Sequence, residues 1–452
     1  MTGIPVAAPT RRDAAGNDTW TGDPHAIVID DEVGARHLFV VDGSRLYELD
    51  HDTADRMTSA VGDGRAFDEL TRLGLMGAPL VDDEPLVAPP VRAVSLAVAQ
   101  KCNLGCTYCY AQQGDFGMES RLMSLEEAER AIDLVLADAE RGDHVSVAFM
   151  GGEPLVNRDV VHAATEYAAG RSATAGVELR LSITTNGTLL DARDVELFER
   201  HGFAVTVSID GDRDTHDALR PFRNGRGSYD RVLARVRPLL ERQHRMQVSA
   251  RVTVTPSNVA IDGIVDELLR LGFHSVGVSP MLASPSGTGQ VEATDLVTLL
   301  DHMIAAGRTY ERHTLAGRRY AFANMANAMR EIDRGTHRPY PCGAGAGYVG
   351  VAAGGELSAC HRFVGDDVGR MGSLDSGIDT AERAAWLRDR HVHRQEPCAS
   401  CWARYLCGGG CHHEVIHRGR PACDYIRGWL EYCIGAYARL TRAGVSLAGD
   451  AQ

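Results

Sequence analysis

The feature that most constrains this chain is Cys102-Asn103-Leu104-Gly105-Cys106-Thr107-Tyr108-Cys109, three thiols at spacings of four and three residues on a short glycine-containing loop. A cubane [4Fe-4S] cluster takes four ligands, so three thiolates hold three irons and leave the fourth open to another molecule. A zinc knuckle is the alternative, but zinc sites pair CxxC with a second pair of ligands further on, and nothing near the loop supplies one. The loop directly follows an apolar, strand-like run, Val94-Ser95-Leu96-Ala97-Val98.

With 452 residues, 44% of them apolar, the chain can bury a large core and divide into two to four domains. A formal charge of -14 argues against nucleic acid or an anionic membrane as partner. No apolar run approaches the ~20 residues of a membrane helix. Residues 1-25 are polar, without the apolar core of a secretory signal, and are expected to be an unstructured start of a cytoplasmic protein. Eleven cysteines in a reducing compartment read as metal ligands rather than disulfides. Only Cys433, in an apolar helical stretch, reads as an ordinary buried thiol.

Residues 26-90 give three strand candidates with a turn at Asp42-Gly43, then two helical patterns, the order of a winged-helix-like module. Pro85 to Pro90 reads as a linker. Across 91-285 six strand candidates alternate with amphipathic helices, one of them announced by a Ser124/Glu127 capping box. That alternation predicts an α/β fold with a parallel sheet. Six units are too few for a closed eight-stranded barrel, so a partial barrel is expected. Residues 286-335 read as a helical bridge and 336-452 as a cysteine-rich domain.

Working groups in parallel α/β folds sit at the C-terminal ends of the strands. After the second barrel strand comes Met150-Gly151-Gly152-Glu153-Pro154, after the third Thr184-Thr185-Asn186-Gly187-Thr188, and after the fourth Ser208-Ile209-Asp210-Gly211, with Arg220 twelve residues beyond Ser208. Two glycines let backbone approach a ligand, a carboxylate takes an ammonium group, and Arg presents a planar fork to a carboxylate. Together with the CxxxCxxC loop these motifs resemble the radical S-adenosylmethionine (SAM) enzymes. The resemblance implies a (β/α)6 partial barrel and SAM on the open iron. It also implies Gly151, Gly152 and Glu153 at the methionine amino group, Ser208 and Arg220 binding SAM, Asn186 in its TNGT turn, and Tyr108 and Met281 beside the adenine.

Downstream, Cys342, Gly355 and Cys360 fit C-x12-G-x4-C, and Cys398, Cys401, Cys407 and Cys411 fit C-x2-C-x5-C-x3-C, with Cys423 following. This is similar to the SPASM domains of peptide-modifying radical SAM enzymes; a pair of zinc ribbons is the alternative. By that resemblance Cys398, Cys401, Cys407 and Cys423 complete one auxiliary cluster, and Cys342, Cys360 and Cys411 hold another with one iron open, giving three [4Fe-4S] clusters in all. The residues around them look most like thioether-forming peptide maturases, of the quinohemoprotein amine dehydrogenase and six-cysteine-peptide types. The module at 26-90 would then recognise the leader of a precursor peptide, or merely cap the barrel, and a flavodoxin- or ferredoxin-like protein would supply the electron. The rival readings are a sulfatase maturase making formylglycine, a carbon-carbon crosslinker, and a non-catalytic Fe-S electron carrier. Sulfatase maturases carry Asp after the Cys matching Cys360, where this chain has His361. No catalytic side chain is assigned.

Overall fold

A computed structural model describes residues 11-12, 18-19, 22-76 and 80-447. Most of the expected unstructured start lies outside them. Strands β1 (Ala26–Asp30), β2 (Arg36–Val40) and β3 (Arg45–Leu49) form an antiparallel sheet in that order. Helix α1 (His51–Gly62) starts where the Asp50 side chain accepts from Thr53 N, and α2 (Ala66–Arg72) follows. Ala26, Leu38 and Val40 of the strands close on Met57, Ala66 and Leu70 of the helices.

The main sheet begins with β4 (Ala93–Ala99). It continues through α3 (Leu125–Leu136), β5 (His144–Gly151), α4 (Arg158–Ala175), β6 (Glu178–Thr185), α5 (Ala192–His201), β7 (Ala204–Ser208), α6 (Arg213–Leu219), α7 (Tyr229–Arg242), β8 (Gln247–Val254), α8 (Ile261–Arg270) and β9 (Val276–Pro280). All six strands are parallel and pair in sequence order. Burial alternates along β5 and β8, whereas β4 is buried at every position but its first, the pattern of a strand covered on both faces. The capping box is formed at α3: Ser124 Oγ accepts from Glu127 N at 3.1 Å and Glu127 returns a carboxylate oxygen to Ser124 N at 2.7 Å, worth ~1 kcal/mol.

After α9 (Ala293–Leu315) and α10 (Ala323–Asp333), the chain returns to this sheet. Strand β10 (Tyr348–Val351) pairs in parallel with the other edge of β4, and β11 (Glu356–Ser358), β12 (Arg370–Ser373) and β13 (Gly377–Ile378) extend the sheet antiparallel. The parallel set thus has a seventh strand beyond the six expected. Its cause is a long-range contact: a short, mostly buried run meets the unpaired edge of β4, and Arg92 N and Ala93 N both donate to Gly347 O.

Helices α11 (Thr380–Arg390), α12 (Arg404–Cys407), α13 (His412–Arg418) and α14 (Cys423–Arg442) complete the chain. Two compact units result, one of residues up to Pro85 with Glu292–Cys342 and Arg388–Gln452, the other of Leu86–Val291 with Gly343–Leu387. Within the first, the helices expected as a bridge pack on α14. Gly307 and Gly428 permit this, because a Cβ at Gly307 would lie 2.4 Å from the Tyr432 ring and one at Gly428 2.6 Å from Leu300. Glu311 of α9 accepts from the Tyr432 hydroxyl at 2.5 Å and from Arg439 Nε and Nη2, each at 2.9 Å. Among the described residues no helix is long and apolar enough to cross a membrane.

Candidate functional site

The Cys loop leaves the C-terminal end of β4 and is fastened by backbone bonds to the ends of neighbouring elements. Gly105 N and Thr107 N donate to Pro221 O and Leu219 O, while Gly152 N and Glu153 N, just past β5, donate to Ala99 O and Lys101 O. The two glycines of the Gly-Gly-Glu-Pro turn have a specific cause here. A Cβ on Gly151 would stand 2.4 Å from Ala99 O, and one on Gly152 2.6 Å from Lys101 O and 2.7 Å from Gly114 Cα. The close approach that needs glycine is therefore to the Cys loop itself, where the sequence suggested approach to a ligand. Burial pushes the Cys102 thiol up to about 11 and Cys106 to about 12, so metal binding must release their protons at neutral pH. Leu104 N at 3.4 Å and Asn186 Nδ2 at 3.7 Å point at Cys102 Sγ. Three sulfurs on one loop, with N–H groups on one of them, fit an iron-sulfur cluster.

Glu153 is completely buried and accepts from Leu155 N at 3.0 Å, Thr185 Oγ1 at 2.8 Å and Asn186 N at 2.7 Å. Burial pushes its carboxyl up to about 7 despite these donors. A cationic group placed against it would hold it ionised. Asn186 links the β5 and β6 ends to the loop: its Nδ2 donates to Asn103 Oδ1 at 2.9 Å and its Oδ1 accepts from Thr188 N at 3.0 Å, while Asn103 Nδ2 reaches Thr188 Oγ1 at 2.8 Å.

Tyr108, Leu219 and Met281 form one small apolar cluster, and the Arg220 guanidinium lies 5.3 Å over the Tyr108 ring. Burial works against the charge of Arg220, but the adjacent Asp210, Tyr108 and Cys106 together outweigh it and hold the guanidinium well above its ordinary range. Ser208 is the last residue of β7, half-buried, in register with Arg251 of β8. Thus Tyr108, Glu153, Asn186, Arg220 and Met281 gather with the loop at one end of the sheet. Sequence reasoning left Asp210, Asn103 and Thr188 without roles. In a strand-Asp-Gly context Asp210 looks like a turn residue, and its one signal is its place immediately after an alternating strand.

In the other unit, burial and the neighbouring thiols Cys407, Cys423 and Cys401 push Cys398 up to about 12; burial likewise raises Cys401, and Cys423 to about 12. Four neighbouring thiols, with Arg427 beside Cys401 and Cys423 and Arg420 beside Cys398, fit an anionic four-thiolate cluster. Cys342 and Cys411 belong to this unit and Cys360 to the other, so their grouping rests on the family resemblance. Cys433 is fully buried, its Sγ 3.8 Å from Met325 Sδ.

Residues 96–260 match the Radical SAM superfamily model. An uncharacterized protein of Archaeoglobus fulgidus is 28% identical over 75% of this chain and 79% of its own length. A serine-type anaerobic sulfatase-maturating enzyme of Klebsiella aerogenes is 25% identical over 76% and 86%. A solved structure, native anSMEcpe with bound AdoMet, superposes with a TM-score of 0.65 at 19% identity, covering 78% of this chain and 99% of that one; this likeness speaks for the fold. A radical SAM domain implies SAM and a [4Fe-4S] cluster, and the three thiols of the Cys102 loop are donors of the kind such a cluster takes. The stretch that carries the Cys loop, Glu153 and Asp210 is a radical SAM domain, and the chain built around it is an enzyme.

Proposed function

We propose that this enzyme modifies a peptide or protein by radical SAM chemistry and that it closes thioether links on a Cys-containing precursor. What carries the first part is the convergence of the three-thiol loop, buried Glu153 and the Tyr108–Arg220 pair at the ends of β4, β5 and α6. Cys102, Cys106 and Cys109 would hold the cluster, Glu153 would take the amino group of SAM, Arg220 with Ser208 its carboxylate, and Tyr108 with Met281 its adenine, with Gly151, Gly152 and Asn186 shaping the turns. When bound, the cluster and SAM supply a carbon radical able to take hydrogen from an unactivated C–H bond. The chain's own work is to orient that cofactor, exclude water, and hold one C–H bond near it.

Two auxiliary clusters complete the proposal: Cys398, Cys401, Cys407 and Cys423 hold one, and Cys342, Cys360 and Cys411 the other. Three thiolates leave the latter a position for a substrate thiolate, which supports thioether closure. Residues 26-90 would engage a leader, and the enzyme would act in the cytoplasm with a flavodoxin- or ferredoxin-like donor.

Formylglycine formation is the second reading, favoured by the sulfatase-maturating relatives. His361 stands where those enzymes carry Asp. It is kept neutral, pushed down to about 4 chiefly by burial, with Nδ1 3.0 Å from the Tyr348 hydroxyl, so it is a weaker proton acceptor than an ordinary imidazole, which counts against this reading. Mass spectrometry separates the readings. Anaerobically reconstituted protein is incubated with SAM, dithionite and a Cys-containing peptide, with 5′-deoxyadenosine assayed alongside. A thioether keeps the sulfur and loses two hydrogens; formylglycine made from Cys loses the sulfur. Loss of sulfur moves the enzyme to the second reading, and absence of 5′-deoxyadenosine removes both.

A further inference from the structure

Asp210 lies just past β7, between Ser208 and Arg220, and its carboxylate is completely buried. It takes three donors: Oδ2 accepts from Arg220 Nε at 2.6 Å and from the Tyr108 hydroxyl, and Oδ1 accepts from Thr253 N of β8 at 2.9 Å. Its backbone is held as well, with the carbonyl accepting from Asn258 Nδ2 at 2.9 Å and the N–H donating to His216 Nδ1 at 3.3 Å. The remaining nitrogen of that imidazole lies 3.0 Å from Ser228 Oγ, which donates to Arg220 O at 2.6 Å. One carboxylate therefore joins the end of β7, β8, the Cys loop and Arg220. With Nε committed to Asp210, the terminal nitrogens of Arg220 are left to meet an incoming carboxylate. The contact of Nη2 with Thr253 Oγ1, at 3.5 Å, is long enough to give way.

We infer that Asp210 is a positioning residue for SAM, fixing the Arg220 fork and the Tyr108 ring in one orientation before the cofactor arrives. This rests on the proposed reading of Arg220 and Tyr108 as SAM contacts. Only a carboxylate suits the place. Asn would turn its amide hydrogens toward either Arg220 Nε or Thr253 N, and both of these only donate. Presetting the fork lowers the ordering cost of binding.

The test measures SAM affinity by equilibrium dialysis on reconstituted protein with its clusters oxidised, so that no turnover occurs, for wild type, Asp210→Asn, Arg220→Gln and the double variant. Asp210→Asn is expected to weaken SAM binding about 10- to 100-fold with unchanged iron content, the range of a lost charge-assisted hydrogen bond. Arg220→Gln should weaken it at least as much, and the double variant should fall short of the two single effects combined, because Asp210 acts largely through Arg220. In steady state the KM for SAM should rise more than kcat falls. Unchanged affinity in Arg220→Gln overturns the SAM-site reading itself. Unchanged affinity in Asp210→Asn beside a weakened Arg220→Gln, or full additivity in the double variant, overturns the role of Asp210 alone. Should Asp210→Asn fail to fold by circular dichroism, Asp210→Glu replaces it in the cycle, with the same coupling expected and additivity again overturning the role.

Discussion

The two cysteine groups on either side of the unit boundary are built on opposite plans. Cys102, Cys106 and Cys109 sit on one loop, pinned by main-chain bonds to the ends of β5 and α6. Cys398, Cys401, Cys407 and Cys423 come from short helices and the start of α14, with guanidinium groups among them. On the proposed assignment, a three-thiol loop on rigid strand ends would hold a cluster that must meet a second molecule in fixed geometry. Four thiols drawn from separate short elements would, on the same proposal, make a closed site that ties those elements together.

That contrast breaks most sharply at Cys106. Cys106→Ala should abolish 5′-deoxyadenosine formation and lower iron content by about one cluster, ~4 irons, while the C-terminal unit keeps its own; undiminished cleavage would remove the radical SAM assignment. Next comes Gly152→Ala, whose Cβ must displace the Lys101 carbonyl. It should cost about 1–3 kcal/mol of stability in thermal melts and most of the SAM cleavage, again without touching C-terminal iron. Arg427→Gln tests the other side: removing the buried cation should make the C-terminal iron more easily stripped by a chelator, while the loop cluster still cleaves SAM. If both pools of iron are lost together, the two sites are not independent.

Smaller effects sharpen the comparison. The folded-state value of Glu153, about 7, lies above its ordinary 4.5, so the folded chain holds this proton more tightly than the unfolded one. Its ionisation therefore costs nothing below about 4.5, costs progressively more up to about 7, and costs a constant amount above. In metal-free protein, lowering the pH from 8 to 5 should raise the melting temperature of wild type relative to Glu153→Gln, and a flat difference would mean that Glu153 is already paired. Cys433→Ser should leave iron and activity unchanged and cost only about 1–3 kcal/mol for a buried hydroxyl.

The six barrel strands and the Cys loop were legible because alternation and ligand spacing are local signals. Three things were not. β10 joins the sheet only because β4 has a free edge, a fact about neighbours far away in sequence. The need for glycine at 151 and 152 was evident, but its cause, the backbone of Ala99 and Lys101, requires coordinates. Asp210 was hidden because a buried carboxylate is recognised by its donors, and Tyr108, Arg220 and Thr253 reach it from three separate segments.

The pairing of β10 with β4 also bears on how the chain is made. The strand that carries the Cys loop waits for its second neighbour until residue 351 has emerged. At ribosomal rates of about 5–20 residues per second, that is a delay of roughly 13–50 seconds. During it the nascent chain shows an open strand edge beside three reduced thiols, an invitation to pair with another chain. Slow synthesis or a shortage of chaperones should therefore harm the yield of this enzyme more than its finished stability would suggest.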